Sequence, residues 1–208
     1  MRVERAMKTC YIVAAAELAE ERLRPEEGDL VIAADAGLRH LARLGIQPDL
    51  ALGDFDSLGE APEGGDVLHL PVEKDDTDTI YAMRVGLERG YTDFVVYGGT
   101  GGSRADHTIA NLQGLLFLSS HGAHCRMYGD GVVWSVLHNE TISFPAGCGG
   151  TLSLFCMDGA ARGVTIRGLK YELADAEIRS DFPIGVSNSF TGAAASIEVR
   201  DGTLIMIH

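Results

Sequence analysis

Residues 29–55 read DLVIAADAGLRHLARLGIQPDLALGDF, and this stretch decides the fold class. LVIAA is apolar without interruption, as in a short strand buried on both faces. Leu38 to Leu44 then place apolar residues at helical spacing, and a second apolar run, LAL, ends at Gly53-Asp54-Phe55. Strand, helix and strand in this order form the repeating unit of a mostly parallel α/β sheet.

Outward from this unit the same alternation continues from Thr9 to about His121. CYIVAA, DVLHLP and DFVVYGG read as further buried strands, and Thr77 to Glu88 and His107 to Ser119 as helices. In the first of these helices Ile80, Met83, Val85 and Leu87 are expected on the buried side. After Gly122 the pattern changes. RMYGDG, VVWSVL, TISF, TLSLFCM, GVTIRG, YELADAEI, AASIEVRDG and TLIMIH are short, rich in β-formers and separated by Gly, Asn or Asp turns. The expected architecture is an α/β N-terminal domain with a mostly parallel sheet (1–125), followed by an all-β, sandwich-like C-terminal domain (126–208).

The chain has 208 residues, 46% of them hydrophobic, enough to bury a sizeable core. Its 17 Lys and Arg face 30 Asp and Glu, and the net charge of −13 repels nucleic acid and anionic membrane surfaces. An anionic nucleotide bound to such a surface has to bring metal cations with it, and clustered carboxylates hold hard divalent ions. Cys10, Cys125, Cys148 and Cys156 form no CxxC pair, so reduced, buried thiols are expected. The apolar run before Glu17 is too short for a signal segment or a membrane span, so a cytoplasmic location is expected.

Four polar constellations fall at predicted strand ends, the edge where open α/β sheets bind ligands. Gly53-Asp54-Phe55-Asp56-Ser57 carries two carboxylates, which read either as Mg²⁺ ligands or as a turn with a capping Asp. Lys74-Asp75-Asp76-Thr77-Asp78-Thr79 precedes a helix. It admits N-capping by Asp76 or Thr77, or a second carboxylate group with Lys74 placed to meet phosphate. Gly98-Gly99-Thr100-Gly101-Gly102-Ser103-Arg104-Ala105-Asp106-His107, with Asn111 beyond, is a glycine-rich turn running into a helix. Its backbone N–H groups and Arg104 suit phosphate, yet it is neither a Walker A loop nor G-x-G-x-x-G. Ala34-Asp35-Ala36-Gly37 places Asp35 and Gly37 at the same edge, with a helix cap at Asp35 as the alternative. His121 and His124 straddle Gly122 and read as solvated termini rather than as a metal pair.

Taken in order, A-D-A-G, Pro48-Asp49, G-D-F-D-S, K-D-D-T-D and G-G-x-x-x-D-H-x-x-x-N resemble the thiamine pyrophosphokinase (thiamine diphosphokinase) family. The resemblance continues through Gly168-Leu169-Lys170-Tyr171, Gly185-Val186-Ser187-Asn188-Ser189-Phe190 and a terminal strand from Gly202 to Ile207. One departure is Ser103, which lengthens the glycine loop before Arg104 and leaves the Arg–Asp–His order intact.

The resemblance implies Mg²⁺-dependent transfer of the diphosphoryl group of ATP to the thiamine hydroxyl, giving thiamine diphosphate and AMP. It also implies a homodimer with thiamine bound between subunits. Asp54, Asp56, Asp75 and Asp78 become the expected metal and catalytic carboxylates, with Lys74 beside them. Asp35, Gly37, Gly101, Gly102, Arg104, Asp106, His107 and Asn111 become the nucleotide side, and Ser187, Asn188 and Phe190 the thiamine side. Phe190 reads equally as a core residue or as a partner for a cationic ring, while Trp134, inside an apolar strand, reads better as core. Two other classes compete: a phosphohydrolase of the Asp-x-Asp type, and a non-catalytic nucleotide- or thiamine-binding module.

Overall fold

The computed structural model describes residues 8–18, 23–53, 55, 66–71 and 76–208, which divide between two compact units, Met1–Gly131 and Val132–His208. In the first unit the apolar runs become β1 (Thr9–Val13), β2 (Leu30–Ala34), β3 (Leu50–Gly53), β4 (Asp66–His69), β5 (Asp93–Tyr97) and β6 (His124–Gly129). The amphipathic stretches become α1 (Gly37–Leu44), α2 (Asp78–Glu88) and α3 (Ala105–Ser120). The six strands lie in the order β6-β5-β1-β2-β3-β4, and every pairing among them is parallel.

All five residues of β2 and of β5 are buried, as expected of parallel strands covered on both faces. On one face Leu38, Leu41 and Leu44 of α1 pack with Val13, Val31, Ala33, Val95 and Tyr97. On the other, α2 meets Cys10 and Phe94 at Gly86, and α3 meets Ile80 and Met83 at Gly114.

Two expectations change. The buried side of α2 is Thr79, Ala82, Met83 and Gly86 rather than Ile80, Val85 and Leu87. The helix lies so close to the sheet that a Cβ at Gly86 would come within 2.5 Å of the Phe94 ring, so small residues take the inner face. β4, expected to be buried, is an edge strand whose four residues are exposed or half-exposed.

The second unit is antiparallel throughout. Its strands are β7 (Val132–His138), β8 (Thr141–Phe144), β9 (Thr151–Cys156), β10 (Ala160–Arg167), β11 (Leu173–Arg179), β12 (Asn188–Ser189), β13 (Ala195–Glu198) and β14 (Thr203–Ile207). They pair as β12-β9-β14-β7 and as β11-β10-β13-β8. Leu152, Leu154, Leu204 and Met206 from the first layer meet Val164, Ile166, Ile178 and Ile197 from the second in one core, which makes the unit a sandwich. The alternating burial along β9 is the period-2 pattern of such a half-buried strand.

All four cysteines are free thiols. Cys10, Cys125 and Cys156 are buried as expected, but Cys148 is only half-buried. No helix among the described residues is long and apolar enough to cross a membrane.

Candidate active site

From β1 the chain steps outward through β2, β3 and β4, and from β5 it steps the other way to β6. Beyond the carboxyl ends of β1 and β5 the loops diverge, and at such a switch point an open sheet leaves a crevice. Here the Ala14 N–H donates to the Tyr97 carbonyl at 2.8 Å and the Ala16 N–H to the Gly98 carbonyl at 3.0 Å, tying the two loops together. A cleft of about 550 Å³ opens beside them, floored by Ala14, Ala15, Ala16, Gly98 and Gly99. Its volume falls in the range of small-molecule sites. The small floor residues let a ligand approach the backbone. Gly98 has no substitute: its φ is 65° and a Cβ would lie 2.6 Å from the Ala14 carbonyl oxygen.

Three elements bring polar groups to this cleft. The first is the turn after β5, where Gly101 and Gly102 have φ of 80° and 74°, and Ser103 leads into α3. Arg104 is the N-cap of α3 but gives the helix no side-chain cap, while His107 and Asn111 reach the cleft from its first turns. Asn111 is buried and donates Nδ2–H to the Gly99 carbonyl at 2.7 Å, so it fixes the glycine turn from behind.

The second element is the start of α2. Thr77 is its N-cap, accepting from the Ile80 N–H at 3.3 Å, and Asp76 instead pairs with Arg84 at 2.5 Å. Asp78 opens the helix and lines the cleft. The third is Asp35, at the end of β2, whose φ is 49° and whose N–H donates to the Leu52 carbonyl at 2.8 Å. Sequence reading did not single out Ala14 to Ala16, although a run of three alanines closing a buried strand is the visible mark of a floor that must stay small.

Of the expected site residues, Asp35, Asp78, Gly101, Gly102, Arg104, His107 and Asn111 all line this one cleft. Gly37 does not. It is buried at the start of α1, where a Cβ would sit 1.9 Å from the Val13 carbonyl oxygen, so its task is close packing. Asp49, part of the sequence resemblance, sits at the opposite end of β3 from the cleft, accepting from the Val31 N–H at 2.8 Å. His121 donates Nδ1–H to the Phe117 carbonyl at 2.8 Å at the far end of α3. Asp54, Asp56, Lys74 and Asp75 lie outside the described residues.

Arg104 and Asp106 form a two-point ion pair: Nε–H donates to Oδ1 at 3.0 Å and Nη2–H to Oδ2 at 2.7 Å. The Arg104 hydrogen bond holds the Asp106 carboxyl down to about 2, from an ordinary value of 3.8. A depressed carboxylate supports its pair above its unpaired value and loses that support as pH falls through the folded one. The Arg104–Asp106 pair is therefore expected to persist from neutral pH down to about pH 3 and to open toward pH 2. A carbon-13 NMR titration of Asp106 checks this, and Arg104→Ala should return its midpoint to about 4.

Whether a divalent ion suits the cleft is a question of donors. Asp35, Asp76 and Asp78 offer oxygen only, the ligand type of a hard cation. Among the described residues no three His, Cys, Asp or Glu side chains form a ready cage. Mg²⁺ does not call for one, because it is usually held by one or two carboxylates together with water and substrate phosphates. The donor set fits.

In the second unit, Ser187 has φ 60° and donates its N–H to Ser153 Oγ at 3.0 Å. Asn188 is buried, and its amide clasps the Tyr171 backbone, Oδ1 accepting from N–H at 2.9 Å and Nδ2 donating to the carbonyl at 2.6 Å. Phe190 stands edge to face on Phe144, ring centroids 5.0 Å apart, against the sandwich core. Tyr171 itself is exposed, as are Phe182, Ile184 and Val186.

A parallel sheet whose switch point carries a glycine turn, a helix start and carboxylates, followed by a β-sandwich, has the form of a two-part protein that takes an anionic ligand at the sheet edge. The chain belongs to the thiamin pyrophosphokinase family: the family's catalytic-domain model matches residues 24–127 and its vitamin B1 binding domain model residues 139–204. Thiamine pyrophosphokinase from Bacillus subtilis (strain 168) is 29% identical over 97% of this chain and 98% of its own. The crystal structure of thiamine pyrophosphokinase from Bacillus subtilis superposes with a TM-score of 0.86 at 27% identity, covering 96% of this chain and 98% of that one. The enzyme from Geobacillus thermodenitrificans gives 0.81 at 25% identity, over 96% of each chain. Thiamin pyrophosphokinase from Candida albicans shares the fold at 14% identity, with a TM-score of 0.78 over 96% of this chain and 89% of its own.

Proposed function

We propose that the protein transfers the diphosphoryl group of ATP to thiamine, giving thiamine diphosphate and AMP. The observation that carries this reading is the gathering of the glycine turn, the start of α3 and Asp78 around one cleft at the switch point of a family member's sheet. The thiamine hydroxyl oxygen forms a bond to the β-phosphorus, and the bond from that phosphorus to the α–β bridging oxygen breaks. AMP leaves with that oxygen, and the hydroxyl proton passes to a carboxylate of the cleft, for which Asp78 is our assignment.

Transfer of this kind depends on positioning and charge more than on covalent chemistry from the protein. The N–H groups at the uncapped start of α3 and the glycine turn face phosphate oxygens, and Arg104 adds a charge-assisted contact. Asn111 keeps the turn in shape, and His107 orients the nucleotide side. Asp78, with Asp54, Asp56 and Asp75, would hold Mg²⁺. Bound there, the ion neutralises charge building on the phosphates. Lys74 completes that charge balance.

In the second unit we assign thiamine contact to Ser187, and to Asn188 and Phe190 the task of shaping the wall around it. Ser187→Ala is expected to raise the KM for thiamine severalfold while leaving the KM for ATP close to wild type. Equal changes in both constants would remove Ser187 from the thiamine side. The exposed Tyr171, Phe182, Ile184 and Val186 support a homodimer as the working form, which sedimentation equilibrium tests. The cytoplasm, where ATP and reduced thiols coexist, is the expected compartment.

AMP release from ATP and Mg²⁺, with and without thiamine, tests the reading. AMP that appears only with thiamine supports it. ADP or phosphate formed regardless of thiamine identifies a hydrolase, and ATP or thiamine binding without turnover identifies a binding module.

A further inference from the structure

The Arg104–Asp106 pair has an asymmetry. Arg104 lines the cleft, and Asp106, two residues on, does not. Their side chains are 62% and 65% exposed, so the pair is not a device for burying charge.

A guanidinium offers two edges that can each meet two oxygens, the Nε–Nη2 side and the Nη1–Nη2 end. Asp106 occupies the side edge: both oxygens meet Nε–H or Nη2–H, and among the described residues none accepts from Nη1. A carboxylate competing for the phosphate-binding surface of this arginine would be expected on the end edge. One on the side edge removes torsional freedom from a long, exposed side chain and leaves its end open.

We propose that Asp106 is a positioning residue, which grips the side edge of Arg104 and so presents the Nη1–Nη2 edge to the phosphates of the nucleotide. The inference rests on reading the cleft as the nucleotide site. It divides the loop's labour: the glycine turn and the start of α3 supply backbone N–H groups, and Arg104 supplies the one oriented pair of charged donors. It also accounts for the acid two residues after the arginine, at a helix start where a phosphate is to bind. Without such a partner, a carboxylate there would repel the ligand.

A double-mutant cycle decides the matter. ATP binding with Mg²⁺ and no thiamine is measured by calorimetry for wild type, Arg104→Ala, Asp106→Ala and the double variant. The KM values for ATP and thiamine are measured alongside. Arg104→Ala should weaken ATP binding about tenfold, the size of a lost charge-assisted contact. Asp106→Ala should weaken it severalfold in the wild-type background and less than about twofold when Arg104 is already absent. The KM for thiamine should stay in place, and the unfolding midpoint should hold in Arg104→Ala and fall only slightly in Asp106→Ala, which removes the acid of the first turn of α3.

Equal losses from Asp106→Ala in the two backgrounds would overturn the proposal, since Asp106 would then act on the nucleotide itself. Tighter ATP binding in Asp106→Ala would overturn it in the other direction, making Asp106 a competitor for Arg104. A wild-type protein that binds ATP but releases no thiamine-dependent AMP removes the diphosphoryl-transfer reading while the cycle still decides the role of Asp106. One that binds no ATP removes both.

Discussion

Asp78→Asn is expected to lower thiamine-dependent AMP release at least about a hundredfold, the scale of losing one preorganised electrostatic contribution to a transition state. The side chain enters the cleft from the first residue of α2, with the helix started independently by Thr77. Asparagine keeps the shape of the side chain and removes its charge, its affinity for a divalent ion and its capacity to take a proton. Some stability should go as well, because an acid in the first turn of a helix favours it by roughly 0.3–1 kcal/mol. That loss reads out as a small drop in the unfolding midpoint, separable from the change in kcat. A variant with near-normal kcat would take Asp78 out of the machinery. The same substitution at Asp54, assigned from sequence, carries the same expectation.

Gly37→Ala is expected to cost on the order of 3 kcal/mol of stability, at the upper end of overpacking. The added methyl carbon has to occupy a point 1.9 Å from the Val13 carbonyl oxygen, and that oxygen belongs to the backbone of a central, buried strand. Neither partner is a flexible side chain that can swing aside, so α1 has to lift from the sheet. For a chain of this size the loss corresponds to roughly 6–12 °C in the unfolding midpoint. Gly45→Ala is the control in the same helix–loop region. Gly45 is left-handed, with φ 67°, which alone strains an alanine there, but its Cβ would meet nothing within 4 Å, so it should fall well short of the effect at Gly37. An unchanged midpoint for Gly37→Ala would return Gly37 to the list of candidate ligand contacts.

Much of the fold was legible because buried parallel strands are short, continuous and apolar, and β2 and β5 are buried at every residue. The inner face of α2 was not, since hydrophobic periodicity picks large residues while close packing on Phe94 selected Ala82 and Gly86. β4 looked like a core strand from Val67 and Leu68, but sequence says nothing about which strand ends a sheet. At the site, Asp35, Asp78, Gly101 and Gly102, picked out at strand ends, line one cleft. What each did there was less legible. A buried Asn whose amide serves a backbone carbonyl, as Asn111 does for Gly99, or clasps a neighbouring residue, as Asn188 does for Tyr171, reads in sequence just like one that touches a ligand. Asp49 and Gly37 share that ambiguity, and only their distances from Val31 and Val13 resolve it.

The unequal burial of the four thiols has a practical side. Burial pushes Cys10 up to about 12, so it carries almost no thiolate at neutral pH. Cys125 and Cys156 are buried too, with sulfurs turned to the Leu115 and Asp158 carbonyls. Cys148 alone meets solvent, in a turn of the second unit. A maleimide fluorophore added to the native protein should therefore attach once, at a known position, giving an optical reporter on the sandwich without any engineered residue.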